Sequence, residues 1–217
     1  RAQQSPTTAM TTTIKRHPIH RYLNHVSIHA KLLALAVFSA LVLIAISGLL
    51  LWNQYQAARE ARMTAVRQTV EAMTSAVQAL QKQEASGQLD RARAQALAIR
   101  MVNDARYSGQ EYFWINDMDV RLITHPFRVD LNGRDVSGIM DPEGNPLFVR
   151  FVEIVKRDGA GFHNYLWPKP GLEKPVEKTS YVAGFAPWGW VIGSGMYIDD
   201  LRAQFIRNLM WEAGYIG

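Results

Sequence analysis

The sequence contains no cysteine, and this absence excludes several chemistries. Without thiols the chain has no disulfide framework, no thiolate nucleophile and no thiolate ligand for a metal. A phosphate-cradling glycine loop is also missing, and Gly193-Ser194-Gly195 lacks the spacing of a hydrolase nucleophile elbow. After residue 31 the chain has only two histidines, His125 and His163. We therefore expect no catalytic activity, no cofactor and no metal site.

Acidic residues are missing from the first 59 positions, whereas residues 1–31 carry five basic ones. Because the whole chain has 24 basic and 19 acidic residues, everything after Lys31 is balanced. A neutral remainder argues against a nucleic-acid surface. A short basic tail beside an apolar run is typical of the cytoplasmic end of a membrane segment.

Residues 32–52 contain no charge at all. As a helix, these 21 residues would extend about 31 Å, close to the thickness of the hydrocarbon core. A cleaved signal peptide is the alternative, but its apolar core would be shorter, and Trp52 and Tyr55 follow here as in an interfacial aromatic belt. We predict a basic cytoplasmic tail over 1–31, a transmembrane helix over 32–52 and an extracytoplasmic domain over 53–200.

The N-terminal tail offers little more. Met10 is the first methionine, so residues 1–9 are set aside as a boundary artefact. Of the four tail histidines, only His25 and His29 would share a helix face, which argues against a metal site there.

A heptad pattern follows the apolar segment. In the helix predicted over residues 54–84, apolar side chains recur at alternating spacings of three and four: Met63, Val66, Val70, Met73, Val77 and Leu80. This seam can pair with a second subunit while also docking on a sheet, or it can be core alone. Asp90 is placed to cap a second helix that runs to about Arg106, with Leu97, Met101 and Ala105 on one face.

From residue 111 the pattern becomes alternating, as in antiparallel strands. We predict strands near 111–117, 120–125, 161–167, 177–185 and 189–197, with an amphipathic helix over 147–157. The fold class is α+β, a long helical stalk on a five-stranded antiparallel sheet. Asp199 and Asp200 open a further helix over 201–217, which leads towards a second membrane span. We therefore expect the chain to be an excised fragment or a truncated reading frame of a longer receptor.

Aromatic and polar side chains share faces of the predicted sheet. Tyr112 and Trp114 lie on one face of the first strand, and Tyr165 and Trp167 lie on one face of the third, together with His163. Tyrosine and tryptophan combine an apolar body with a polar tip, which suits a small ligand with a polar head. The alternative is that these rings are ordinary core. Gly193 and Gly195 clear space on the last strand, either for a closely packed helix or for a ligand.

Lys178 stands inside a predicted strand among apolar neighbours. If it points inward it needs an anionic partner, because an unpaired buried ammonium is costly, and a ligand carboxylate could be that partner. An exposed lysine is the alternative.

Several ordered motifs resemble one known family. The residues that carry the resemblance are Tyr112-Phe-Trp-Ile115, His125-Pro126, Asn132-Gly-Arg-Asp135, Asp141-Pro-Glu-Gly144, Tyr165-x-Trp-Pro-Lys-Pro-Gly171, Lys178-x-Ser-Tyr-Val182 and Trp190-x-Ile-Gly-x-Gly-x-Tyr-Ile-Asp-Asp200. Over about residues 55–200 the chain resembles the single Cache domain of type 2. Such domains are the periplasmic sensors of methyl-accepting chemotaxis proteins and of some sensor kinases.

The resemblance implies a PAS-like, homodimeric domain in the inner membrane, with its sensor in the periplasm. It implies a small-molecule ligand, often acetate, propionate, pyruvate or lactate. By the resemblance, the ligand-binding residues are Tyr112, Trp114, His125, Tyr165, Trp167, Lys178 and Tyr181. Strict alternation places Tyr181 opposite Lys178, so both can line one pocket only if a bulge intervenes. The competing hypothesis is a membrane-anchored structural or assembly factor without a ligand.

The charge asymmetry predicts the orientation of the chain. A reporter enzyme that is active only outside the cytoplasm should be active when fused after residue 60 and inactive when fused after residue 25, because the basic tail stays inside. Reporter activity on plates measures this. The reverse pattern would contradict the receptor interpretation.

Overall fold

The computed structural model describes residues 27–214, except for the side chains of residues 200–202, 204, 209, 212 and 213. Most of the predicted tail, with His17, His20 and His25, lies outside the described residues, as do residues 215–217. The chain divides into two compact units, residues 1–50 and 51–217.

Helix α1 runs without a break from Ile28 to Ala85, so the predicted membrane segment and the predicted stalk are parts of one helix. An 18-residue stretch of this helix has a mean hydropathy of 2.7, and none of that stretch is buried. The helix is long and apolar enough to cross a membrane.

The second unit contains three more helices and a six-stranded antiparallel sheet. The helices are α2 (Arg91–Asp104), α3 (Leu147–Asp158) and α4 (Asp199–Gly214), and the strands are β1 (Arg106–Tyr107), β2 (Glu111–Asp117), β3 (Leu122–Thr124), β4 (Ala160–Pro168), β5 (Pro175–Phe185) and β6 (Trp190–Tyr197). The strand order is β1-β2-β6-β5-β4, and β3 pairs with β2. The α+β prediction is confirmed. The strand not predicted is β1, which has only two residues.

The predicted second strand is shorter than expected at its start. Residues 117–120 form a turn in which the Asp117 side chain accepts hydrogen bonds from the backbone N–H groups of Asp119 and Arg121. This carboxylate holds the chain in a turn up to Arg121, so that β3 begins only at Leu122.

The alternation of side chains separates two cores. One face of the sheet, with Phe113, Ile115 and Ile192, packs against α1 and α2. The other face, with Tyr112 and Trp114, packs against α3 through side chains such as Leu147, Phe148 and Phe151. Neighbouring residues of one strand therefore belong to different layers.

Helix α2 begins as predicted. The Asp90 carboxylate accepts a hydrogen bond from the backbone N–H of Arg93 at 2.8 Å, a typical N-cap. Its buried residues are Ala94, Ala98 and Val102, whereas Leu97 is exposed. Small side chains form the buried row because they let the helix approach the sheet closely.

The heptad seam of α1 packs within the protomer. Val66, Val70 and Val77 are buried, and Met63, Met73 and Leu80 are partly buried against the same core. The docking part of the prediction is confirmed. Pairing of this seam with a second subunit stays a prediction.

Helix α4 lies where a C-terminal helix was predicted, and its continuation towards a second membrane span stays a prediction. Its Phe205 contacts α1. The Phe205 ring lies 5.1 Å from that of Tyr55 and 6.4 Å from that of Trp52, measured between centroids. The two helices that enter and leave the second unit therefore touch each other.

Val70 tests the role of the seam, because its exposed fraction is 0% within one protomer. Val70→Asp buries a carboxylate without a partner and should lower the free energy of unfolding by about 3 kcal/mol or more. Ala65→Asp, on the exposed face of the same helix, should cost well under about 1 kcal/mol. Denaturant unfolding measures both. A Val70→Asp protein of unchanged stability that sediments as a smaller species would show a seam used for pairing instead.

Candidate functional site

A small cavity lies between the sheet and α3. It is lined by Tyr112, Trp114, His125, Leu147, Phe148, Phe151, Tyr165 and Trp167. The space between these side chains is about 210 Å³ including its open side, and the part in which the centre of a water molecule fits is about 10 Å³. That part is about one water in size, so the lining side chains nearly fill the cavity in this conformation.

Three elements supply the aromatic lining. Tyr112 and Trp114 are alternate residues of β2, and Tyr165 and Trp167 are alternate residues of β4, so each pair faces the cavity from one strand. From α3 the lining residues are Leu147, Phe148 and Phe151, at the spacing that puts side chains on one helix face. The rings meet largely edge to face, as Phe148 and Phe151 do at 5.6 Å and 83°.

His125 enters the cavity from the loop after β3. Its Nδ1 accepts hydrogen bonds from the backbone N–H groups of Phe127 at 3.2 Å and Arg128 at 3.0 Å, so the hydrogen of the neutral ring is on Nε2. Burial, followed by the positive charges of Lys178 and Arg128, lowers the pKa of His125 to about 3. His125 is therefore a neutral N–H donor at physiological pH.

The loop itself is held by Asn132. Its side-chain oxygen accepts a hydrogen bond from the backbone N–H of His125 at 2.8 Å. This bond connects the Asn132-Gly133 turn to the site and places the imidazole ring beside Tyr112, with 4.8 Å between ring centroids.

Lys178 is the cation of the site, and only 1% of it is exposed. Its Nζ donates a hydrogen bond to Tyr112 Oη at 2.8 Å and lies 3.5 Å from Tyr197 Oη. The same nitrogen lies 4.0 Å from the Tyr112 ring centroid and 4.7 Å from that of Tyr197. Among residues 27–214, no carboxylate oxygen with a described position comes within ion-pair distance of it.

The surroundings of Lys178 change the pKa of its ammonium group. Burial lowers the pKa of Lys178 to about 7, and the negative charge of Glu111 acts in the opposite direction. The pKa of Glu111 is raised, first by burial and against the attraction of Lys178. Burial also raises the pKa of Tyr112 well above its ordinary value, so its phenol stays protonated.

Two glycines make the site possible. A Cβ atom on Gly193 would lie 2.6 Å from Cε2 of Trp114, and one on Gly195 would lie 2.8 Å from Cε of Lys178. The space that these glycines leave on β6 is filled by the side chains of Trp114 and Lys178. Neither predicted use of this space, by a closely packed helix or by a ligand, is correct.

Tyr181 does not join the other predicted residues. It belongs to the core that faces α1 and α2, and its ring packs on Phe162 at 4.8 Å. Strand β5 has no bulge between Lys178 and Tyr181, so alternation puts them on opposite faces. The placement of Tyr181 in the pocket is wrong. The lining does include Tyr112, Trp114, His125, Tyr165 and Trp167. Lys178 is not part of the lining but contacts it, with Nζ 4.0 Å from the Tyr112 ring centroid.

Some residues of the site were not predicted. Tyr197 contacts Lys178 because the two are cross-strand partners of β6 and β5. Alternation from Gly193 and Gly195 would have put Tyr197 on the same face, so a signal was present. The three lining residues of α3 were predicted only as part of an amphipathic helix, since the sequence does not say which layer the helix covers.

Within residues 27–214, no group of three or more histidine, aspartate or glutamate side chains is placed to hold a metal ion. The arrangement instead combines hydrogen-bond donors, one buried cation and an apolar wall. These are the features of a binding site for a small molecule.

Comparisons with known proteins identify the family of this domain. A family model for Single Cache domain 2 matches residues 58–211. The methyl-accepting chemotaxis protein McpP of Pseudomonas putida is 38% identical over 195 residues, 90% of this chain and 36% of the relative. The sensor histidine kinase MctS of Rhizobium johnstonii is 32% identical over 119 residues, 55% of this chain and 25% of the relative. The chain thus spans about a third or less of these relatives.

Solved structures give the same result. A periplasmic sensor domain of a chemotaxis protein is 42% identical with a TM-score of 0.63, covering 65% of this chain and 97% of that one. A second structure, with the same identity and TM-score, covers 66% of this chain and 97% of that one, and is described as the structural basis for carboxylic acid recognition by a Cache chemosensory domain.

The fold and the site therefore define a Cache-type sensor domain. The chain belongs to the single Cache domain 2 family, as its sequence motifs predicted.

Gly193 tests the packing of the site. Gly193→Ala forces the Trp114 ring off β6 and into the cavity, which should lower the free energy of unfolding by about 1 to 3 kcal/mol. Gly138→Ala is the matched control, because a Cβ there meets nothing within 4 Å. Thermal unfolding measures both variants. Equal stability of the two would contradict this account of Gly193.

Proposed function

We propose that this chain is the extracytoplasmic sensing region of a transmembrane chemoreceptor and that its cavity binds a short monocarboxylate, such as acetate, propionate, pyruvate or lactate. The role is binding and not catalysis. Family membership supports the sensor part of this proposal, and the carboxylic acid recognition described for a structure 42% identical supports the ligand class.

The observation that carries the proposal is the environment of Lys178. Its ammonium is buried among aromatic rings, and its hydrogen-bond partners are phenols. Such a charge is costly unless an anion compensates it. A ligand carboxylate beside Lys178 and Tyr112 would supply the compensating negative charge. Its charge-assisted hydrogen bond would be stronger than one between neutral groups.

The remaining lining restricts the ligand. The neutral His125 can donate a hydrogen bond to a carboxylate oxygen, whereas Leu147, Phe148 and Phe151 offer only apolar surface to its carbon atoms. Among the described residues, Lys178 is the only buried lysine or arginine, so a single carboxylate matches the site better than two. The small volume favours ligands of two or three carbons and requires the lining to shift when one enters.

A chain of contacts connects the side chains at the cavity to α4. Tyr197, beside Lys178, donates a hydrogen bond from its hydroxyl to the Pro168 carbonyl at 2.8 Å. The next residue, Lys169, forms an ion pair with Asp199 at 2.9 Å, at the start of α4. We infer that the ligand favours one arrangement of this link and that α1 and α4 carry the displacement onward.

The topology follows from the charge pattern. With the basic tail in the cytoplasm and residues 32–52 in the inner membrane, the cavity lies in the periplasm. We propose that the receptor is a homodimer through α1. The competing structural or assembly role needs no cavity and no buried cation, and both are present.

Lys178→Met tests the ligand directly. The variant keeps most of the apolar stem and loses the charge, so carboxylate affinity should fall about tenfold to a hundredfold, equivalent to about 1.5 to 3 kcal/mol. The empty variant should be as stable as the native chain or more stable, since no buried ammonium remains. Lys174→Met is the control, because Lys174 is exposed. Titration calorimetry with acetate, propionate, pyruvate and lactate gives the affinities.

Two results would contradict the proposal. Equal affinity in Lys178→Met and Lys174→Met would show that Lys178 does not hold the carboxylate. Failure of the native chain to bind any of these acids would favour the role without a ligand.

A further inference from the structure

Lys178, the buried cation beside the cavity, forms no ion pair with a carboxylate among the described residues. Lys178 Nζ contacts Tyr112 Oη at 2.8 Å, and the acid that acts on it electrostatically is Glu111. Glu111 precedes Tyr112 on β2, so it points to the opposite face of the sheet from the cavity. Its Oε2 is buried without a hydrogen-bond partner.

This geometry makes the charge of Lys178 depend on what occupies the cavity. Desolvation disfavours an ammonium among apolar groups, and an adjacent anion favours it. Phenol oxygens accept its hydrogen bond, but a neutral amine can also donate to them. The empty cavity therefore tolerates the amine, whereas a bound carboxylate requires the ammonium.

We propose that the carboxylate binds together with one proton, which Lys178 takes up from solvent, so that the sensor responds more strongly in acidic than in alkaline surroundings. This inference rests on the proposed function. In the step the lone pair of Nζ forms one N–H bond with a solvent proton, and no other bond changes.

Other titratable groups surround Lys178 and Glu111. They are Arg62 on α1, Tyr107 on β1, Tyr112 on β2, His125 in the loop after β3, Arg128 beyond it, Tyr165 on β4, Lys169 in the turn after it, Tyr197 on β6 and Asp199 at the start of α4.

None of these neighbours replaces Lys178 as the proton acceptor near neutral pH. The pKa of His125 is about 3, so it stays neutral. Burial raises the pKa values of Tyr112, Tyr165 and Tyr197, so the phenols stay protonated. Lys169 is paired with Asp199.

The pH dependence has a definite sign. The pKa of Lys178 without ligand is about 7, below the ordinary value for lysine, so the amine predominates above neutrality. Each pH unit above that value should weaken carboxylate binding about tenfold, until the pKa of the liganded form is reached. Below about pH 6 the ammonium is already present, and affinity should be constant.

Calorimetry of the full chain in detergent tests the proton uptake. Propionate is titrated at the same pH into two buffers whose ionisation enthalpies differ, Tris and EPPS at the higher pH and Bis-Tris and MES at the lower. The difference in heat gives the protons taken up. We expect close to one proton at about pH 8.5 and close to none at about pH 5.5.

Glu111→Gln tests whether Lys178 is the group that takes up the proton. Removing the negative charge that favours the ammonium should move the midpoint of the affinity profile to lower pH. Glu173→Gln, at an exposed position of the β4–β5 turn, should leave the midpoint unchanged. The measurement on the native chain does not depend on how either variant folds.

The outcomes separate the two proposals. Propionate binding without proton uptake, and with a constant affinity from about pH 6 to 9, would overturn the proton-linked step and leave the proposed function in place. An unmoved midpoint in Glu111→Gln would overturn the assignment to Lys178. No binding at any pH would overturn the proposed function itself.

Discussion

The structure of the site depends on accommodating the ammonium group of Lys178 in an aromatic interior. Tyr112 and Tyr197 give it hydroxyl groups and ring faces, with Nζ 2.8 Å from Tyr112 Oη. Gly195 leaves the space that its stem occupies, and α3 covers the same face of the sheet. Because the environment compensates the charge only in part, we propose that the site accepts an anion.

The sheet keeps this polar interior apart from the core that stabilises the domain. On β5, Lys178 and Val182 face α3, whereas Tyr181 and Ala183 face α1 and α2. We therefore expect changes in the cavity to leave the packing of Val70, which is fully buried, largely intact. The Lys169–Asp199 ion pair connects the cavity side to α4, which we infer to be the outgoing element.

Much of this could be predicted from the sequence, because alternation and spacing are local properties. The helix spanning the heptad seam, the Asp90 cap and the faces of β2 and β4 follow from them. Tyr181 entered the predicted site through the family resemblance, against its own alternation, and the alternation was right. The position of α3 over the cavity and the cross-strand pairing of Lys178 with Tyr197 depend on docking and register, which are tertiary properties.

The central claim is that a small carboxylate binds in the cavity beside Lys178. The most direct measurement is a crystal structure of the protein grown with propionate. We predict a carboxylate oxygen about 3 Å from Lys178 Nζ and carbon atoms against Phe148 and Phe151. An unoccupied cavity under saturating propionate, or propionate bound only elsewhere, would contradict the claim.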